Sequence, residues 1–94
     1  MKTFPLEIVT RDNAFPARDV VSADVPASLG RLTVLADHQP LVCTLTAGTL
    51  IVGTPEGERE RWQISGGILT VDRRQVTVLA HGASREDVSS ASSL

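Results

Sequence analysis

Three side chains are candidates for catalysis. Asp37 is followed directly by His38, and an Asp–His pair is the proton-transfer part of many hydrolytic sites. Cys43, the single cysteine, is the third candidate, but no Ser or Cys can be placed beside the pair from the sequence, and Cys43 lies within the apolar alternation of its strand. Adjacent residues rarely orient each other as a base and its partner, so the pattern favours a polar loop position for His38 and an inert, buried thiol for Cys43. A small β-barrel enzyme that uses Asp37 and His38 stays open as an alternative.

Two further patterns are interpreted as structure. Glu56, Glu58 and Glu60 alternate with glycine and arginine, which indicates either an acidic binding strip or a solvated hairpin with cross-strand charge pairs. The Ser-Gly-Gly run at 65–67 lacks the spacing of a phosphate loop and precedes a strand. The sequence therefore predicts no catalytic, cofactor-binding or metal-binding residue. It predicts structural turns at Gly48, Ser65, Gly66 and Gly67.

The elements around these residues are predicted to be strands. Apolar residues alternate with polar ones in short runs, with turn signals every 8–12 residues or so, which is typical of an all-β sandwich or barrel. Turns are expected at 11–13, 37–40, 54–57 and 72–74, where Asp, Asn, Pro and Gly gather. Strand parity predicts that the following residues are buried: Ile8, Val21, Leu32, Leu45, Ile64, Ile68 and Val78.

The chain divides into a sandwich domain, 1–82, and a Ser-rich tail, 83–94, expected to be a frayed helix or unstructured. With 41% apolar residues, 94 residues suffice for a single core, and a net charge of −2 excludes a strongly basic nucleic-acid-binding protein. One cysteine excludes an internal disulfide, and no apolar run is long enough to span a membrane. A soluble, reducing compartment is expected. A small domain with few aromatic residues often gains stability from a partner.

Four stretches, in order, carry a resemblance to a known family. They are residues 4–10 (FPLEIVT), 30–42 (GRLTVLADHQPLV), 47–50 (AGTL), and 65–71 (SGGILTV) with 76–80 (VTVLA). Together they resemble the epsilon subunit of F-type ATP synthase, whose patterns are G-x-L-G-x-x-P-G-H-A-P-L-L, P-G-x-(L/I/M) and S-G-G-(F/I)-L-E-V followed by V-T-V-L-A. The resemblance covers the predicted sandwich domain.

The resemblance implies a β-sandwich of about ten strands that serves as a non-catalytic rotor subunit of the central stalk. Its partners would be the gamma subunit and the c-ring, with peripheral attachment to the cytoplasmic face of the inner membrane of a bacterium. No cofactor is expected, because the ATP motif that some members carry in a C-terminal helical hairpin is altered at 88–93. A free-standing β-sandwich binding module outside the synthase is the alternative.

The resemblance further implies a contact between segment 28–41 and the c-ring. Within this segment Thr33, Ala36, Asp37 and Gln39 replace the family's usual Gly, Pro, Gly and Ala, and Arg31 stands where an acidic residue is frequent. The segment is therefore expected to differ from the family in stiffness and charge, and part of the contact is expected to be electrostatic. The predicted contact residues are Ser28, Arg31, Asp37, His38 and Pro40.

Overall fold

The computed structural model describes residues 2–37 and 39–86, and within them every regular element is a strand. The all-β prediction is confirmed, with eight strands rather than about ten. The strands are β1 Phe4–Val9, β2 Ala14–Val20, β3 Ser22–Ala27, β4 Gly30–Leu35, β5 Leu41–Gly53, β6 Arg59–Val71, β7 Val76–Ala80 and β8 Ala83–Arg85.

The strands form one hydrogen-bonded path in the order β2-β1-β7-β6-β5-β3-β4, and β8 pairs with β6. The pairing of β1 with β7 is parallel, and the other pairings are antiparallel. β7 and β8 share one register along β6, because the His81 N–H donates to the Gly66 carbonyl (3.0 Å) and the Ser65 N–H to the Gly82 carbonyl (3.1 Å). The chain from β7 to β8 therefore runs alongside β6 without losing its alignment.

The long β5–β6 hairpin belongs to both layers of the sandwich. Its register is unbroken from Leu41↔Val71 to Gly53↔Arg59, but the side of the strands that faces the core changes near its middle. In the first half (41–45 and 67–71) the odd-numbered positions face inward. In the second half (47–53 and 59–65) the even-numbered positions do so. Ile68 consequently lies outside and is 45% exposed, so the prediction that it is buried is wrong.

The predicted turns at Gly48 and Ser65–Gly67 are also wrong, because β5 and β6 continue through them. These glycines instead allow close approaches where the two layers meet. A Cβ on Gly67 would lie 2.0 Å from the Leu79 carbonyl oxygen, and its φ of 152° disfavours any other residue. A Cβ on Gly48 would lie 3.2 Å from the Cβ of Pro26.

Apolar side chains from β1 to β7 fill the space between the layers. Burial is confirmed for Ile8, Leu45, Ile64 and Val78, while Leu32 and Val21 are half-buried. Val21 is half-buried because it stands in the short link between β2 and β3. The largest fully buried side chains are Leu50, Leu69, Val20, Val25, Val34, Val52, Val76 and Val78.

The predicted turns at 11–13, 54–57 and 72–74 are confirmed by short backbone hydrogen bonds, such as Gly57 N–H to the Thr54 carbonyl at 3.0 Å. Strand β2 was not predicted, since its sequence, Ala-Phe-Pro-Ala-Arg-Asp-Val, contains a proline and two charged residues and shows no regular apolar alternation. The predicted boundary between the sandwich and the tail, at residue 83, lies too early in the chain, because Ala83–Arg85 forms β8 against β6. The remainder of that prediction, on 87–94, lies outside the described residues.

Candidate functional site

The segment predicted to contact the c-ring, 28–41, is not a single loop. It comprises the tight turn of the β3–β4 hairpin, strand β4, and a connector into β5. Ser28 and Arg31 lie at the hairpin end of β4, whereas Asp37 and Pro40 follow its other end. Six strand residues span about 20 Å, so the two pairs do not form one cluster. His38 lies outside the described residues.

The hairpin tip is anchored on its inner side and open on its outer side. The backbone N–H of Ser28 donates to the Thr44 carbonyl at 2.9 Å, and its hydroxyl donates to the same oxygen at 3.2 Å. The next residue, Leu29, is fully exposed at 103%. The turn therefore holds a large apolar side chain in solvent at a fixed place.

A groove of about 610 Å³ runs between the β3–β4 hairpin and the start of β5. Its apolar lining is provided by Leu29, Leu32, Leu41 and Cys43. Cys43 is half-buried, and burial raises the pKa of its thiol, so the group stays protonated at neutral pH. This accords with an inert thiol, although Cys43 is less buried than predicted.

Arg31 is engaged within the hairpin. Its Nε donates to Asp24 Oδ1 at 3.0 Å, and its Nη2 donates to the backbone carbonyls of Asp24 (3.1 Å) and Thr49 (2.7 Å). The guanidinium thus connects β4 to β3 and β5 on the outside of the sandwich. Most of its hydrogen-bonding capacity is already used inside the chain.

At the other end of β4, Asp37 adopts a left-handed conformation with a φ of 68° and pairs with Lys2. The hydrogen bond from this pair raises the pKa of Lys2. The nearby β6–β7 turn is held by Asp72, whose Oδ1 accepts the backbone N–H groups of Arg74 and Gln75, both at 2.7 Å. These bonds lower the pKa of Asp72. The Asp72 carboxylate therefore shapes its own turn, whereas the Asp37 carboxylate ties the connector after β4 to Lys2.

The outward side of the first half of the β5–β6 hairpin carries exposed apolar residues, which sequence reasoning missed. Val42 is 70% exposed, and Ile68 and Leu79 are each 45% exposed. Ile68 pairs directly with Leu79, which pairs in turn with Val9 of β1. We call Val9, Val42, Ile68 and Leu79 the apolar strip. The signal for it was consecutive apolar residues, Ile68-Leu69 and Val78-Leu79, since such pairs put one apolar residue on each face of a strand.

A buried ion-pair cluster at the other half was missed as well. Glu60 shares the inward parity of Trp62 and is only 7% exposed, so it does not belong to a solvated acidic strip. Its carboxylate accepts a forked pair of hydrogen bonds from Arg18 of β2, one of them 2.8 Å long. Arg85 of β8 approaches to 3.4 Å, as does Trp62 Nε1. Hydrogen bonds from Arg18 hold the pKa of Glu60 below its usual range.

Phe15 of β2 packs edge-on against Trp62, with ring centroids 4.9 Å apart. The cluster therefore joins β2, β6 and β8 across one side of the sandwich. Its signal in the sequence was the shared parity of Glu60 with Trp62 and Ile64.

No group of three or more His, Cys, Asp or Glu side chains is arranged to hold a metal ion within 2–37 and 39–86. Over the same residues, none of the secondary structure is a helix long and apolar enough to cross a membrane.

The family model described as the ATP synthase Delta/Epsilon chain β-sandwich domain matches residues 3–86. The chain belongs to this family. ATP synthase epsilon chains are its relatives: that of Dichelobacter nodosus is 37% identical over 82 residues, which are 87% of this chain and 57% of the relative. That of Natranaerobius thermophilus is 43% identical over 83 residues, covering 87% and 59%. That of Stenotrophomonas maltophilia is 37% identical over 93 residues, covering 98% and 66%.

Two solved structures share the fold of this epsilon-type domain. A chain of the Euglena gracilis mitochondrial ATP synthase, in a structure of its OSCP, F1 and c-ring, superposes with a TM-score of 0.84 at 23% identity, covering 97% of this chain and 60% of that one. A chain from the central stalk and c-ring of the Tetrahymena thermophila mitochondrial enzyme gives 0.74 at 9%, covering 88% and 66%. The β-sandwich fold and the family predicted from the sequence are confirmed. The chain spans about 57 to 66% of the length of the three epsilon chains.

Proposed function

We propose that the domain is a non-catalytic part of the central stalk of an F-type ATP synthase and couples the gamma subunit to the c-ring during ion-driven ATP synthesis. Family membership supports the complex, and the observation that supports a coupling role is the exposed apolar strip. Exposed apolar residues that adjoin on one sheet face are typical of a protein interface.

The apolar strip is the proposed gamma-binding surface. It lies on four neighbouring strands, β1, β7, β6 and β5, and all four of its residues project from the same outward face. Burying such side chains against a partner is favourable by about 25 cal/mol per Å² of apolar area. A face built on hydrogen-bonded strands suits a partner that must turn together with the domain.

The c-ring contact is proposed at segment 28–41, with Ser28 and Arg31 at the hairpin end and Asp37, His38 and Pro40 at the connector. This surface adjoins the apolar strip at Thr44, which lines both the hairpin groove and a cavity beside Ile68 and Leu79. One domain of this size can therefore hold two partners side by side.

The proposed location follows from the complex: peripheral attachment at the cytoplasmic face of the inner membrane of a bacterium. Bacterial epsilon chains among the relatives support it. A free-standing binding module would have the same fold, and the exposed apolar strip alone does not distinguish it from a synthase subunit. The two proposals differ in which proteins should be recovered together with the domain from a membrane extract.

Pull-down of the tagged chain from bacterial membranes in mild detergent tests the proposal. We expect recovery of gamma and c subunits. Ile68→Asp should abolish gamma recovery, whereas Gln63→Asp, which adds the same charge at an exposed position of the same strand, should not. Recovery of neither subunit across several mild detergents would support the free-standing module. Equal losses with both variants would refute the assignment of the apolar strip to gamma.

A further inference from the structure

The ladder between β3 and β5 is interrupted beside the hairpin tip. Its register runs Ser22↔Gly53, Ala23↔Val52 and Asp24↔Ile51, then shifts and resumes at Ala27↔Leu45. Between these last two pairs, five residues of β5 (46–50) lie opposite two residues of β3 (25–26). A bulge of this kind bends the strand and leaves backbone groups that the ladder itself does not satisfy.

Pro26 lies in this interruption. Continuing the register beyond Asp24↔Ile51 would set Pro26 opposite Thr49, but proline has no backbone N–H to donate. The Thr49 carbonyl instead accepts a hydrogen bond from Arg31 Nη2 at 2.7 Å. Nε of Arg31 is held by Asp24 Oδ1 at 3.0 Å, which orients the planar guanidinium toward that carbonyl.

We propose that Arg31 is a positioning residue: its guanidinium gives the Thr49 carbonyl the hydrogen bond that Pro26 cannot donate, and so fixes the Leu29 tip as an apolar contact. The part of this inference that concerns the partner rests on the proposed function, since the c-ring is taken as the protein that meets the tip.

The rest of the tip fits this role. Ser28 fixes the tip to Thr44 by two hydrogen bonds, and the Cβ of Pro26 lies 3.2 Å from the place where a Cβ of Gly48 would stand. The hairpin is thus held against β5 by Ser28 at its turn and by Arg31 on its β4 side. The side chain left over for a partner is Leu29, which is uncharged.

The engagement of Arg31 within the hairpin changes the chemistry expected of the contact. The sequence alone suggested that Arg31 meets the ring through its charge, with a salt-dependent contribution. A guanidinium bound to Asp24 and to two carbonyls, beside a fully exposed leucine, predicts a contact that depends on the shape of the tip and on apolar burial. Such a contact is insensitive to ionic strength.

A double-mutant cycle on the isolated chain tests the backbone role without any partner. Arg31→Met removes the donors and keeps the aliphatic stem, and Pro26→Ala restores an N–H. We expect Arg31→Met to accelerate hydrogen exchange of the hairpin amides by about tenfold or more, and by less than about threefold when Pro26→Ala is present. Arg61→Met, at an exposed arginine of β6, is the matched control and should leave the hairpin unchanged. Equal acceleration with and without Pro26→Ala would overturn the inference.

Affinity for purified c-ring, measured at low and at high ionic strength, tests the contact. We expect Leu29→Ser and Arg31→Met each to weaken binding by about fivefold or more, by the same factor at both salt concentrations, while affinity for gamma is unchanged. Loss of affinity for Arg31→Met at low salt alone, with normal hairpin exchange, would assign Arg31 to direct charge contact and overturn the inference. A positive cycle with no c-ring binding by the wild type would leave the positioning role supported and refute the proposed function.

Discussion

In most proteins apolar side chains are buried and charged ones are exposed, and the two halves of the β5–β6 hairpin break this rule in opposite ways. The first half exposes apolar side chains, Val42 and Ile68, on its outer face. The second half buries a carboxylate, Glu60, on its inner face and exposes polar residues such as Gln63. The halves share one ladder, so the difference lies in their side chains and not in their pairing.

The departures are resolved in different ways. Glu60 is neutralised within the chain by arginines of β2 and β8, so the buried charge of the second half needs no partner to compensate it. Within the described residues the first half has no such cover over Ile68 and Leu79, and we propose that another subunit supplies it. The first half thus has an exposed surface that we propose a partner covers, whereas the unusual residue of the second half is compensated within the chain.

The largest effect is expected at the junction of the halves. Gly67→Ala would place a Cβ 2.0 Å from the Leu79 carbonyl oxygen in a backbone conformation with a φ of 152°, so the two layers could not keep their spacing. We expect a loss of more than about 3 kcal/mol in the free energy of unfolding, measured by chemical denaturation. Gly57→Ala is the control. Its φ is 90° but no atom lies within 4 Å of the new Cβ, and it should cost about 1 kcal/mol. Similar losses for both variants would show that the junction is not tightly packed.

The second effect concerns the buried cluster of the second half. Arg18→Met should lower the free energy of unfolding by about 1–3 kcal/mol, because it leaves Glu60 buried with only Arg85 and Trp62 nearby. This expected loss is smaller than the loss for a fully buried ion pair, since the Arg18 side chain is 42% exposed. Glu60→Gln should cost less, because the arginine it releases can turn to water. The reverse order would contradict the assignment of Glu60 as the buried partner.

The same cluster predicts a pH dependence. The pKa of Glu60 is lowered in the folded chain from an ordinary value of 4.5, so its stabilisation is present above pH 4.5 and is lost as the pH falls below it. The difference in unfolding free energy between wild type and Glu60→Gln should therefore shrink on acidification. The pKa of Asp72 is also lowered, but Asp72 contributes equally to the unfolding free energies of both proteins, so its effect cancels in the difference. A constant difference down to the acid transition would argue against an ionised Glu60.

The smallest effect on stability is expected in the first half. Ile68→Thr keeps a β-branched residue in the strand and removes exposed apolar surface, so the unfolding free energy of the isolated chain should change by no more than about 0.5 kcal/mol. Binding to gamma, by calorimetry, should nevertheless weaken. A large loss of stability without loss of binding would make the apolar strip part of the core instead of an interface.

The sequence predicted the fold class, the family and several turns, because alternation and turn residues are local signals. It did not predict how β5 and β6 pass between the layers. The inward side changes near Gly48 and Gly67 while the register is kept, and parity counted from one end of a strand fails beyond such a point. Ile68 was misassigned for this reason, and the glycines were read as turns because both uses favour the same residue.

The candidate surfaces were predictable only in part. Segment 28–41 was predicted as a contact surface from its turn residues and family resemblance, and this stays a prediction, but Arg31 was expected to face a partner. Its bonds to the Asp24 and Thr49 carbonyls depend on a bulge between β3 and β5, and a bulge joins residues that are distant in sequence. The cluster around Glu60 depends on Arg18 in the same way.

The parallel pairing of β1 with β7 has a consequence for how the chain folds. Leu6 pairs with Val76 and Ile8 with Val78, so β1 has no β7 to pair with until nearly the whole domain has been synthesised. Strand β2 joins the sheet only through β1 and must wait with it. The β5–β6 hairpin, by contrast, needs only neighbouring sequence. Because long-range pairings are slow to form, we expect the hairpin to appear early on the ribosome and closure by β1 to limit the folding rate. The first strand made is therefore among the last to be secured.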